Sequence, residues 1–329
     1  MIVLRHTGYY FGGFSFTESY LAVDLFFVLS GFVIAEAYNN KLTHGLSTFE
    51  FMRIRFIRLY PLYLLGTVLG IIYVAGTMIV GKNSDNWTAF ELIADSTFAI
   101  LMLPSPLSSR LYPINGPSWS LLFELFSNFL YAIFFPLLST GRLFITITIS
   151  AIFLGICVYK FGNLDAGFYW KEFFVGIPRV LYSFGTGLLI HRFHKNIKLY
   201  CPSWILIILV FIILCLDLPT YLRPWYDILS VVILFPTIVC LASVSEPSSV
   251  ITLKCYSILG MTSYAIYVLH VPLSKLIAVV FRRSTSFEVA QFAPYSGIVL
   301  LFILILFTWV IDRFYDMPVR RIVTKYFTK

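Results

Sequence analysis

Charged residues are scarce in this sequence. Only 12% of its 329 residues are Asp, Glu, Lys or Arg, whereas 59% are hydrophobic and the mean hydropathy is +0.86. Soluble domains carry about 25% charged residues, so the composition excludes a soluble fold and indicates an integral membrane protein. The excess of cations, 24 Lys and Arg against 16 Asp and Glu, is typical of the cytoplasmic loops of membrane proteins and gives no reason to expect nucleic acid as a partner.

Cysteines are also few. The five form no CxxC pair and lie in or beside apolar runs, at Cys157, Cys201, Cys215, Cys240 and Cys255. The sequence therefore predicts neither a disulfide framework nor a metal site. No cleavable signal peptide is expected, because MIVLRH is too short to supply the charged and apolar regions of one.

Long apolar runs recur along the whole chain. Each is close to the roughly 20 residues that a helix needs to cross the bilayer, which favours helices over the short alternating strands of a barrel. The predicted spans are 20–38, 59–80, 118–138, 143–161, 173–191, 203–218, 226–244, 258–281 and 295–315. The sequence predicts an all-α fold, a polytopic transmembrane helical bundle in which residues 1–329 form a single domain.

Basic residues set the predicted orientation. They concentrate in the loops 39–58 and 191–202 and in the tail 313–329, which should all face the cytoplasm. If the run 90–103 crossed the membrane, the loop 191–202 would lie on the opposite side from the loop 39–58. The run 90–103 is therefore predicted to be a re-entrant or interfacial element on the outer side. By the same count MIVLRH is the outer end of an incomplete first helix, which makes about ten spans.

Ionisable residues inside apolar spans are costly and need a reason. His6 ends the first helix at the depth where Asp24 begins the next, so Asp24 is a candidate to orient His6 as a general base. The alternative is a buried structural pair formed by the two. Ser30 and Gly31, in the same span as Asp24, are expected to permit close helix packing.

Two further ionisable residues are candidates. Glu124 follows the break NGPS and is expected to contact a polar acceptor, with an ion pair to Arg179 as the alternative. For His270, just before the expected kink at Pro272, a structural role is favoured, in which Ser263 and Tyr267 satisfy the ring by hydrogen bonding.

Three arginines precede the span 59–80. Arg55 and Arg58 share a helix face, and Arg53 lies to one side. Guanidinium groups match phosphate oxygens, so these arginines are predicted to dock a phosphate-bearing cofactor from the cytoplasm. The alternative is that they only anchor the helix end and fix its orientation.

Five motifs occur together in one order. They are VDLFFVLSGFVI, RIRFIRLYPLY, NGPSWSLLFE, SYAIYVLHVPL and DMPVRR. In order and spacing they closely resemble the acyltransferase-3 family of bacterial integral-membrane O-acyltransferases, and the resemblance covers essentially the whole chain.

The resemblance implies a multi-pass enzyme of the bacterial inner membrane. Such an enzyme moves an acyl group, usually acetyl, from acyl-coenzyme A to a hydroxyl of a cell-surface glycan such as exopolysaccharide or lipopolysaccharide, or of a glycolipid, with no permanently bound cofactor. His6 matches the family's catalytic histidine, Glu124 its acidic residue, and Arg53, Arg55 and Arg58 its juxtamembrane arginines. Asp24 and His270 also fall on motif positions.

The sequence departs from the family at its start. Members carry an arginine upstream of the histidine, at a place that would precede Met1. We therefore expect an incomplete first helix and a weakly active or inactive truncated copy. The alternative function is a transporter or flippase of a polar lipid or glycan, with His6, Asp24, Glu124 and Arg179 lining the pathway.

Overall fold

A computed structural model describes residues 1–14, 16–81, 86–245 and 249–327, and within these ranges it contains helices and no strand. Lys82 and the last two residues of the basic tail lie outside them. The α-helices are α1 (Ile2–His6), α2 (Ala22–Thr43), α3 (Thr48–Ile79), α4 (Ala89–Ile100), α5 (Trp119–Phe134), α6 (Thr140–Phe161), α7 (Phe173–Phe193), α8 (Ser203–Cys215), α9 (Arg223–Leu229), α10 (Phe235–Ala242), α11 (Val250–Thr285), α12 (Tyr295–Ile311) and α13 (Met317–Phe327). π-helical turns, Ser230–Leu234 and Asp312–Asp316, connect α9 to α10 and α12 to α13.

Eight helical segments of the described residues are long and apolar enough to cross a membrane, which confirms the predicted polytopic helical bundle. They are Thr17–Thr43, Thr48–Ile79, Gly116–Leu137, Thr140–Phe161, Trp170–Asn196, Arg223–Ala242, Thr252–Thr285 and Tyr295–Phe327. These segments coincide with eight of the nine predicted spans.

The ninth predicted span, 203–218, is shorter than expected. Helix α8 has 13 residues and so extends about 20 Å at 1.5 Å per residue, less than the roughly 30 Å of a bilayer core. It ends at Cys215, and the chain continues as LDLP, in which Asp217 and Pro219 oppose further helix.

The run predicted to be re-entrant or interfacial contains a short helix, α4. Its 12 residues begin with a capping box, in which the Thr88 side chain accepts from the Glu91 amide and the Glu91 carboxylate accepts from the Thr88 amide. The carbonyl oxygens at its end accept hydrogen bonds from Tyr63 and Tyr60 of α3. Helix α4 is too short to cross, and its position at the outer side stays a prediction.

The described chain divides into two compact units, so the single domain stays a prediction. The first unit comprises Met1, Phe16–Met52 and Phe123–Leu253. The second comprises Ile2–Ser15, Arg53–Leu122 and Lys254–Lys329.

In the first unit, glycines let α2 and α7 approach closely. A Cβ added at Gly31 would lie 2.1 Å from the carbonyl oxygen of Phe184, and one at Gly187 would lie 2.1 Å from that of Val28. Only glycine fits at such crossings. The expectation that Gly31 serves helix packing is confirmed.

In the second unit, the NGPS segment packs against the kink of α11. Pro272 has no amide hydrogen, so the carbonyl oxygen of Val268, four residues earlier, lacks its helical donor. The Asn115 side-chain amide donates to this oxygen at 3.0 Å. Tyr267, on the same helix, donates to the carbonyl of Pro117 at 2.9 Å. Two of the sequence motifs thus meet at one point.

Candidate active site

Two histidines lie together in the second unit. His6, at the end of α1, and His270, in α11, have ring centroids 5.2 Å apart. His6 is exposed, and His270 is fully buried. The exposed imidazole of His6 is suited to contact a substrate, while the buried imidazole of His270 is placed to fix the orientation of the His6 ring.

The hydrogen bonds of His270 define which of its nitrogens carries a proton. Nδ1 lies 3.0 Å from the carbonyl oxygen of Ile266 and 2.8 Å from that of Tyr267. A carbonyl only accepts, so Nδ1 donates, and Nε2 of the neutral ring has a free lone pair. Nε2 has no hydrogen-bond partner among the described residues. The sequence suggested that the side chains of Ser263 and Tyr267 satisfy the ring, but in the structure backbone carbonyls satisfy Nδ1 alone.

Asp24 lies in the first unit, in an ion pair with Arg179. Arg179 Nε donates to one carboxylate oxygen at 3.0 Å, and Nη2 donates to the other at 2.6 Å. Both residues are at most 1% exposed, and Arg179 also donates to the carbonyl of Ala166. Buried bidentate pairs of this kind are strong only when geometry is good and the remaining donors are satisfied, as here. The role of Asp24 in orienting His6 stays a prediction.

Further buried acids surround this ion pair in the first unit, and the sequence reasoning missed them. Asp227 accepts from the Tyr20 hydroxyl at 2.8 Å and from the Leu164 amide at 2.6 Å. Glu18 pairs with Arg223 at 3.0 Å. Asp227 lies inside the predicted apolar span 226–244. A carboxyl group in such a span indicates that a polar partner lies next to it.

Glu124, also in the first unit, is 2% exposed and lies on α5. The hydroxyl of Ser30, on α2, donates to Glu124 Oε1 at 3.2 Å. Ser30 therefore has a polar contact in addition to the small size for which it was singled out. The catalytic role of Glu124 stays a prediction.

The predicted donor-binding arginines lie on α3 in the second unit. The Arg53 guanidinium lies 5.8 Å from the ring centroid of Phe327, in the range of a cation–π contact. Arg58 is exposed and interacts electrostatically with Asp316. Arg320 contacts Asp316 at 2.5 Å, so arginines of α3 and α13 meet at this carboxylate.

A polar cavity of about 230 Å³ lies beside α4 in the second unit, and its walls include Trp87, Glu91, Asp95 and Arg110. Burial raises the pKa of Asp95, and the hydrogen bond from Ser105 opposes this effect. The hydrogen bonds from Thr88 lower the pKa of Glu91. An indole, two carboxyl groups and a guanidinium offer the polar and flat surfaces that a hydroxyl-rich ligand needs.

No group of three or more His, Cys, Asp and Glu side chains within the described ranges is arranged to hold a metal ion. The cysteines that the sequence left unpaired are free thiols.

Comparison with known proteins identifies the class. Residues 1–313 match the acyltransferase-3 family, described as an acyltransferase domain. The chain therefore belongs to this family of membrane-spanning acyltransferases, as the five motifs had suggested, and the family match favours an enzyme over a transporter. No solved structure matches it significantly.

Two curated relatives are similar to parts of the chain. "Protein 2 in picA locus" of Rhizobium radiobacter is 36% identical over 171 residues, which are 49% of this chain and 88% of that protein. The exopolysaccharide production protein ExoZ of Rhizobium meliloti (strain 1021) is 28% identical over 149 residues, which are 44% of this chain and 43% of ExoZ. The match thus spans less than half the length of ExoZ.

Proposed function

We propose that the protein transfers an acetyl group from acetyl-coenzyme A to a hydroxyl of an exopolysaccharide, and that it does so in the bacterial inner membrane. Membership of the acyltransferase-3 family supports the reaction class. The similarity to ExoZ, an exopolysaccharide production protein, supports this acceptor class. The observation that carries the proposal is the pairing of an exposed His6 with a buried His270 whose Nε2 is a free acceptor.

In the proposed mechanism His6 is the general base. The His6 ring donates its one N–H to Nε2 of His270, so its other nitrogen presents a lone pair to the acceptor hydroxyl. A ring separation of 5.2 Å requires a small rotation for this hydrogen bond, and catalytic hydrogen bonds often tighten only when substrate binds.

The reaction balances without a further reactant. The acceptor oxygen attacks the thioester carbonyl, its proton passes to His6, the carbon–sulfur bond breaks, and the proton then passes to the coenzyme A thiolate. The products are an O-acetyl ester and free coenzyme A. In this proposal Arg53, Arg55 and Arg58 hold phosphates of the donor.

The polar cavity beside α4 is the proposed acceptor subsite. Trp87 supplies an aromatic surface for a sugar ring, while Glu91 and Arg110 supply hydrogen-bonding groups for its hydroxyls. The cavity is small, so it would take one or two sugar units of a longer polymer.

Transfer of radiolabelled acetyl from acetyl-coenzyme A tests the proposal. Purified protein in liposomes is given bacterial exopolysaccharide, with lipopolysaccharide as the matched acceptor control. We expect alkali-labile label on the exopolysaccharide and little on the lipopolysaccharide. Label on lipopolysaccharide alone would contradict the acceptor class, and no thiol release with either acceptor would contradict the donor.

A further inference from the structure

The second unit contains a cavity of about 440 Å³ where α11 meets the end of α12 and the start of α13. Its walls include Met261 of α11, Trp309 of α12, and Arg313 and Arg321 on either side of the start of α13. This volume lies within the roughly 300–1,000 Å³ of typical small-molecule sites.

The two arginines in the wall carry uncompensated charge. Arg313 and Arg321 are both exposed, and neither has an ion pair or hydrogen bond with any described residue. The acid in the same wall, Asp312, lies 3.6 Å from Arg320, which contacts Asp316 more closely. The cavity therefore presents two guanidinium groups whose donors are available to a ligand.

The π-helical turn Asp312–Asp316 brings these arginines to the cavity. A π-helical turn offsets the residues after it relative to a regular α-helix, and such turns are frequent at functional sites. This one is held in place, because the Tyr315 hydroxyl donates to the carbonyl of Pro61 at 3.2 Å and Arg320 contacts Asp316 at 2.5 Å. Pro61 is one helical turn from Arg58 on α3, so the cavity and the donor-binding arginines are at the same end of the unit.

We propose that this cavity binds the adenosine 3′,5′-bisphosphate end of the donor. The inference rests on the proposed use of coenzyme A. Arg313 and Arg321 hold phosphate oxygens through their planar forks, and the indole of Trp309 provides an aromatic wall for the adenine ring. The remaining phosphate of the donor's diphosphate is then bound by Arg53, Arg55 and Arg58. The site extends the donor-binding residues beyond α3 to the end of α12 and the start of α13.

Binding of adenosine 3′,5′-bisphosphate to the purified full chain tests the proposal without requiring acyl transfer. Arg313→Gln and Arg321→Gln should each weaken this binding about tenfold or more, because each removes charge-assisted hydrogen bonds. Arg313→Lys should weaken it less than Arg313→Gln. Lys325→Gln removes a positive charge from α13 outside the cavity and should leave the binding as in wild type. Melting temperature and gel-filtration profile of each variant confirm that it is folded.

The outcomes separate this inference from the proposed function. Wild-type binding of the bisphosphate in both glutamine variants would overturn the inference. It would not contradict the proposed acetyl transfer. Weakened binding in the glutamine variants, in a protein that transfers no acetyl to any glycan, would support the site and contradict the acceptor. Anionic phospholipid is the other source of phosphate. Loss of bound phosphatidylglycerol in both glutamine variants, with nucleotide binding unchanged, would assign the cavity to lipid and overturn the proposal.

Discussion

At the residue scale, the proposed orientation of the base His6 depends on His270. Its Nδ1 is committed to two backbone carbonyls, so Nε2 is its only nitrogen available to a neighbouring group. In His270→Asn the side-chain amide can keep the bond to the backbone, but the acceptor at the Nε2 position is lost. We expect kcat to fall about 10- to 100-fold with little change in KM for acetyl-coenzyme A, because orientation of the base is lost and donor binding is not.

The pH profile separates this positioning role from a purely structural one. If His270 accepts a hydrogen bond from His6, its replacement should also move the acidic limb of the kcat profile, which reports the base in the substrate complex. An unchanged profile and kcat in a folded His270→Asn variant would return His270 to the structural role that the sequence favoured.

The ion pair of Asp24 and Arg179 allows a second prediction at the same scale. Asp24→Asn leaves a buried guanidinium without its counter-charge and should lower the free energy of unfolding by about 3–5 kcal/mol. The double variant Asp24→Leu, Arg179→Met removes both charges and should recover most of that loss in a thermal or denaturant melt. A double variant as unstable as Asp24→Asn would show that the pair itself is not the source of the effect.

The same double variant tests the predicted role of Asp24 in catalysis. Both carboxylate oxygens of Asp24 bind Arg179, so a structural role is favoured, and activity should recover together with stability. A stable double variant that stays inactive would contradict a purely structural role of the pair and would favour the catalytic role that the sequence predicted for Asp24.

At the scale of elements, the kink of α11 is coupled to the NGPS segment. Asn115→Ala leaves the carbonyl of Val268 without the donor that Pro272 cannot supply, and a buried unsatisfied group costs about 1–3 kcal/mol. In a Pro272→Ala background the new backbone amide at that position can donate to the carbonyl. We therefore expect Asn115→Ala to cost clearly less there, in melts of the four proteins of the cycle. Equal costs in the two backgrounds would disprove the coupling.

The helices also show how much of the fold can be predicted from the sequence. Eight spans were predictable because each is a local property, a run of apolar residues of about the right length. The partners inside the bundle were not, because Asp24 meets Arg179 across 155 positions and Asn115 meets Val268 across 153. The π-helical turn Asp312–Asp316 has no sequence signal that we recognise. The sequence therefore placed Arg313 only in a basic tail and Arg321 only in that tail and in the motif DMPVRR, without linking either residue to a cavity.

The histidine pair illustrates the same limit at the candidate site. The motifs singled out His6, and the resemblance assigned its role, but sequence proximity suggested Asp24 as its companion. The neighbour that the structure provides in the second unit is His270, from a motif near the other end of the chain. The sequence predicts a kink at Pro272. It does not predict which backbone carbonyls and which side chains then lie next to His270.

At the scale of the whole molecule, the predicted topology requires that α4 does not cross the membrane. Its 12 residues extend about 18 Å, so cysteines introduced at Lys82 and Arg110, before and after it, should react with a membrane-impermeant maleimide from the same side. The native cysteines are replaced first, and a cysteine at Lys195 provides the control for the opposite, cytoplasmic side. Labelling of positions 82 and 110 from opposite sides would show that this segment crosses.

The central claim is that His6 is the base of an acetyl-coenzyme A-dependent transferase. The most direct measurement compares wild type with His6→Ala in liposomes, following release of coenzyme A thiol together with ester formation on the glycan, and using adenosine 3′,5′-bisphosphate binding as the check on folding. The account predicts a loss of about 10²- to 10⁴-fold in both rates with nucleotide binding unchanged. A His6→Ala protein that releases thiol and acetylates the glycan at the wild-type rate would contradict it.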